Sequence, residues 1–78
     1  MSKTYYCIGI LIYLSDNPER YKKLGEIACE FNISNRNARE YIERLRLIGF
    51  NIESRTGING GYTNRSKGIM IEEIIINE

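Results

Sequence analysis

Between Leu24 and Ile48 the apolar side chains recur at helical spacing twice, with one interruption. Leu24, Ile27, Ala28 and Phe31 follow the i, i+3, i+4, i+7 pattern of a single helix face. The pattern breaks at Asn32 and resumes at Ala38, Tyr41, Ile42, Leu45 and Ile48. The spacing therefore predicts helices over 23–31 and 34–48. Asn32 suits the bend between them because asparagine tolerates left-handed backbone. Ile33 can plug the corner, and Ser34 is a good N-cap for the second helix.

The flanking segments show different periods. Thr4 to Ser15 reads as a helix stopped by Asp16-Asn17-Pro18, and it is apolar almost all round. Its isoleucines and Gly9 are also compatible with a strand. A pair of packed helices needs only one apolar stripe from its support. The surplus face then calls for cover by the C-terminal segment or a second subunit, or else for complete burial within one small domain. After Ile48, Gly49 can end the helix in a left-handed cap. Phe50, Ile52 and Ser54 alternate with Asn51, Glu53 and Arg55, as a half-buried strand does. Thr56 to Gly61 is a glycine-dense turn, and Tyr62-Thr63-Asn64 can return, so a β-hairpin is expected over 50–64. The tail over 69–76 is rich in isoleucine and suits a strand or short helix that must be buried, with dimerisation favoured.

Two short helices joined by a tight turn make a helix-turn-helix, whose second helix can enter a DNA major groove. A hairpin after that helix is a wing. The expected fold is mainly α with a small β-wing: a winged helix-turn-helix with a three-helix core and an apolar C-terminal segment, all in one domain, 1–78. The same helix spacing fits an ordinary helical hairpin with a solvated face; the glycine-tipped hairpin favours the winged reading.

Charge sharpens this picture. The whole chain carries only +1. Residues 1–33 are balanced, with four basic and four acidic side chains. Residues 34–67 hold seven basic side chains against three acidic ones, and residues 68–78 hold only Glu72, Glu73 and Glu78. The positive charge lies where a DNA-binding face would need it. On the second helix the outward positions are Asn35, Arg36, Asn37, Arg39, Glu40, Glu43, Arg44 and Arg46. Arginine can donate two bonds to a guanine edge, and asparagine can pair in the same manner with adenine. Arg36 and Arg39 are thus the candidates for base contact and Asn35 for adenine. Ser34, Arg44, Arg55, Arg65 and Lys67 are assigned to phosphate or wing contacts, and Asn37 and Glu40 complete the candidate DNA-facing set. Lys22 and Lys23 precede the first helix of the pair, where a basic side chain could reach a phosphate, although a solvated connection explains them better.

The run RLRLIGFNIESRTGINGGYT resembles the winged helix-turn-helix domains at the N-termini of DeoR-like and biotin-repressor-like bacterial regulators. Leu45 to Gly49, Ile52-Glu53-Ser54 and Gly57 to Tyr62 carry the likeness, which covers about Ile8 to Thr63. The resemblance implies double-stranded DNA binding in transcriptional control, and DNA-facing positions for Ser34, Asn35, Arg36, Arg39 and Arg55. Members of that group usually carry an effector or catalytic domain after the wing. With fifteen residues beyond Thr63, this chain is expected to be a stand-alone regulator or a fragment, with no small-molecule effector evident.

Other chemistry has little support. There is no histidine, which removes the commonest general base and metal ligand. Two distant cysteines do not make a zinc site, and both lie in apolar helical patterns that suggest reduced core thiols in a cytoplasmic protein. Tyr5 to Leu14 is too short to span a membrane. No enzyme activity, cofactor or metal is expected. The expected partners are double-stranded DNA and a second copy of the chain, joined through the first helix, the C-terminal segment or both. A winged-helix protein-interaction module is the competing reading, followed by an architectural or replication-associated DNA factor of a mobile element.

Overall fold

Among the described residues, three helices and one antiparallel hairpin follow each other: α1 (Lys3–Ser15), α2 (Leu24–Phe31), α3 (Asn35–Ile48), β1 (Ile52–Arg55) and β2 (Gly61–Asn64). The computed structural model describes residues 3–66. The expected segment 69–76 and Lys67 lie outside the described residues.

The helix boundaries have local causes. Asn17, with φ +51°, turns the chain away from α1 just before Pro18. Asn32 ends α2 in the left-handed region at φ +54°, and the Ile33 N–H returns to the Ala28 carbonyl at 3.0 Å. That closure satisfies a carbonyl the helix would otherwise leave open. Ser34 caps α3 by accepting the Asn37 N–H at 3.0 Å. Gly49, at φ +124°, closes the other end, where its N–H and that of Phe50 both reach the Leu45 carbonyl.

The core lies between the helices. α1 contributes Cys7, Ile10, Leu11 and Leu14, α2 Ile27 and Ala28, and α3 Ala38, Tyr41, Ile42 and Leu45. Phe50 and Ile52 close it below the hairpin. Each fully buried Ile or Leu is worth about 1.5–3 kcal/mol of transfer free energy. Ile33 is half-buried against this cluster, as its corner position predicts. Gly9 lets the Phe31 ring approach α1: a Cβ there would meet ring carbon Cε1 at 2.7 Å.

Four expectations are corrected. α1 is the expected helix, yet it is not buried all round: Ile8 is 37% exposed and Ile12 57%. A single domain of this size has too little mass to wrap a whole helix. Cys7 is buried but Cys29 is exposed, because its place on α2 turns it away from the Ile27–Ala28 stripe. The alternation Phe50, Ile52, Ser54 ends at Ile52, with Ser54 exposed, because the hairpin projects past the end of the core. Lys22 is not a surface residue. It is 2% exposed, donates its ammonium to the Asp16 carbonyl and lies 5.5 Å from the Tyr13 ring centroid. Burial lowers its pKa.

A polar knot ties α1 and the α1–α2 connection to α2. Glu26 accepts hydrogen bonds from both guanidinium nitrogens of Arg20, at 2.6 and 3.2 Å, and from the Tyr13 hydroxyl at 2.8 Å. The Arg20 bonds, followed by that from Tyr13, hold its carboxyl down at about 2. A carboxylate held below its unfolded value stabilises the fold above pH ~4.3 and loses that contribution as pH falls toward 2. Glu26→Gln should therefore lower the unfolding free energy obtained from urea titration at pH 7, by no more than about 1 kcal/mol for so exposed a pair. The gap should close by about pH 2; a gap independent of pH would show that the carboxylate charge is not what matters.

Candidate nucleic-acid interface

The interface is built from the first half of α3 and from the hairpin. On α3 the buried stripe Ala38, Tyr41, Ile42 and Leu45 faces the core. At about 100° per residue, Arg36, Glu40, Glu43 and Leu47 lie directly opposite that stripe. Arg39 flanks them on one side, and Asn37 and Arg44 on the other. Asn35, Arg36, Asn37, Arg39, Glu40 and Arg44 are all exposed, as is Ser34.

Electrostatics separate these residues. Arg44 approaches Glu40 at 3.9 Å, and Arg46 pairs with Glu43 at 2.7 Å. Arg46 is structural as well: its Nε donates to the Ile52 carbonyl at 3.0 Å and its guanidinium lies 5.8 Å from the Tyr62 ring centroid. Among the described residues, Arg36 and Arg39 have neither an ion-pair nor a hydrogen-bond partner. The first turn of α3 contains no acidic residue, and Arg36 stands there instead. A cation at a helix N-terminus opposes the helix dipole, so Arg36 does not serve the stability of α3. Uncompensated N–H groups and a free guanidinium at one helix end are suited to an anion.

The hairpin has two working faces, set by its register. β1 and β2 pair antiparallel, with Ile52 opposite Asn64 and Arg55 opposite Gly61. Ile52 and Tyr62 look toward the core and Arg46, whereas Glu53, Arg55 and Thr63 look toward the α1–α2 connection. There Thr63 is fully buried and donates its hydroxyl to the Pro18 carbonyl at 2.7 Å. The Lys22 and Tyr62 backbones exchange hydrogen bonds of 2.9 and 2.8 Å, adding an isolated bridge to the edge of β2.

Tyr21 organises the basic side chains on this face. Its hydroxyl donates to Glu53 at 2.6 Å, and Arg55 stacks 4.3 Å from its ring centroid. Arg65 lies 5.8 Å from the same ring and is ion-paired with Glu19 at 3.1 Å and with Glu53 at 3.3 Å. Of the two described wing arginines, Arg55 has no carboxylate partner among the described residues, whereas Arg65 has two. Lys23 makes no side-chain cap for α2. Its ammonium reaches across to the turn and is bound by the carbonyls of Gly57, Ile58 and Gly60 at 3.4, 2.6 and 3.4 Å. Sequence reasoning missed Tyr21, Thr63 and this use of Lys23. The adjacency of two lysines to α2 is the single available signal, and it suggests a solvated connection, or a phosphate contact, rather than a clasp on the turn.

Comparison with protein families matches residues 9–63 to one described as an HTH domain, a span from within α1 to β2. The chain belongs to that helix-turn-helix family. No curated protein and no solved structure matches it. The HTH domain here is of the winged kind, with three helices and a two-stranded antiparallel hairpin. Among its described residues no group of His, Cys, Asp and Glu side chains could hold a metal ion, and no helix is long and apolar enough to cross a membrane.

Proposed function

We propose that this HTH domain is a sequence-specific transcriptional regulator that binds duplex DNA, with α3 in the major groove and the wing against the backbone or minor groove. The observation that carries this reading is the pair of exposed arginines, Arg36 and Arg39, on the first half of α3, which have no partner among the described residues. Every other arginine of the domain is engaged with a carboxylate or stacked on Tyr21. In this reading Arg36 and Arg39 read base edges and Asn35 reads adenine. Ser34, Asn37, Glu40 and Arg44 line the helix face, and Arg55 contacts the backbone. Arg65 and Lys67 are secondary candidates. The DeoR-like or biotin-repressor-like kinship belongs to the same proposal.

A homodimer is part of the reading, joined through α1, where Ile8 and Ile12 are exposed, through the C-terminal segment, or through both. Two recognition helices related by a two-fold axis would require half-sites ~34–36 Å apart.

The test is selection of bound fragments from random duplex DNA, followed by a salt series on the winning sequence. The selection should return an inverted repeat. Log affinity should fall linearly with log salt, at a slope of ~0.9 per phosphate neutralised. No enrichment, with a flat salt response on any duplex, would sink the proposal and favour a protein-interaction role for the same scaffold.

A further inference from the structure

The wing tip bears the most exposed large hydrophobic side chain among the described residues: Ile58, at 89%. An isoleucine at a loop tip is stiff at χ1 and has no polar atom to offer water. It is held in place rather than left loose. The Gly60 N–H donates to the Gly57 carbonyl at 3.0 Å, Gly57 adopts φ +101°, and the carbonyls of Gly57, Ile58 and Gly60 all turn back onto the Lys23 ammonium. This clasp has an electrostatic consequence. Three carbonyl dipoles that would repel phosphates are directed inward onto a cation, and the side chain that projects is apolar. Arg55 stands beside it: Lys23, Arg55 and Ile58 line one groove of about 400 Å³ between the tip and the α1–α2 connection, whose other wall carries Glu26 and Glu19, each already ion-paired with an arginine.

We infer that Ile58 is an apolar wedge that enters a DNA minor groove, with Arg55 and Lys23 supplying positive charge at its flanks. This rests on the duplex-binding reading above and deepens it by naming the groove and the contact. Apolar side chains are used in this way to press against and partly unstack base steps from the minor-groove side. The floor of that groove is clear at A·T pairs but occupied by the guanine N2 amino group at G·C pairs, so a wedge without hydrogen-bonding atoms should discriminate between them.

Inosine isolates the effect, because an I·C pair keeps the major-groove pattern of G·C and lacks the N2 amino group. Alternating poly(dI-dC) and poly(dG-dC) duplexes of about 30 base pairs, comfortably longer than the footprint of one small module, present the same major-groove pattern to α3. The wild-type protein should bind the inosine duplex about fivefold more tightly, and Ile58→Ala should reduce that preference to less than about twofold. Thermal melting of the variant checks that an exposed tip residue leaves the fold intact. Equal wild-type binding to both duplexes would overturn the wedge while leaving the duplex-binding reading standing. So would a preference that survives in Ile58→Ala, including the case in which Ile58 instead serves a partner protein. Binding to neither duplex at low salt would overturn both.

Discussion

Gly61→Ala is expected to cost about 3–5 kcal/mol and to detach the wing from the helices. Gly61 sits at φ +143°, where an L side chain is strained by about 1–3 kcal/mol. The space is also taken. A Cβ there would collide with the Lys22 carbonyl and approach the Lys23 nitrogen at 2.9 Å. Relief requires β2 to move off the connection, which breaks the paired Lys22–Tyr62 hydrogen bonds, each worth roughly 1 kcal/mol. A domain of this size has ~4–12 kcal/mol in total, so much of its stability is at stake. Gly25→Ala is the control, since nothing lies within 4 Å of a Cβ at that helical position; it should be neutral or stabilising by up to ~1 kcal/mol. Urea titration of both variants, with hydrogen exchange of the Tyr62 amide, tests the claim. Equal midpoints for Gly61→Ala and wild type would refute it.

Arg36→Ala and Arg39→Ala should each weaken binding to the selected operator by ~1–3 kcal/mol, about 5- to 150-fold, and relax preference at one base pair. Their melting temperatures should stay at or slightly above the wild-type value, because neither guanidinium has a partner among the described residues and Arg36 opposes the α3 dipole. Arg46→Ala makes the contrast. Its Nε–Ile52 bond and Glu43 pair are internal to the fold, so that variant should lose stability. The decisive measurement is affinity on the operator and on scrambled duplex. A loss of equal size on both would assign Arg36 and Arg39 to phosphates rather than to bases.

The elements themselves were legible from periodicity and caps. Ser34, Asn32 and Gly49 act through backbone rules that hold within a few residues, and the apolar stripes of α2 and α3 mark the faces that became buried. The exposed arginines of α3 follow from the same geometry, because whatever is not on the stripe must face outward. Partnerships across the chain were not legible. Lys22 and Lys23 look equivalent in sequence, yet one is buried under Tyr13 and the other clasps a turn more than thirty residues away. Arg55 and Arg65 look like two wing cations, and only the pairing of Arg65 with Glu19 and Glu53 separates them. Thr63 reads as an ordinary strand residue until β2 is laid against Pro18. Sequence alone thus determined the α2–turn–α3 pair, the hairpin after it and which helix face is charged, while leaving α1 open between helix and strand, because the former are short-range consequences of covalent geometry and patterning. Tertiary structure decided which of the charges are already neutralised and which remain available, because that depends on distances between segments that local rules do not set.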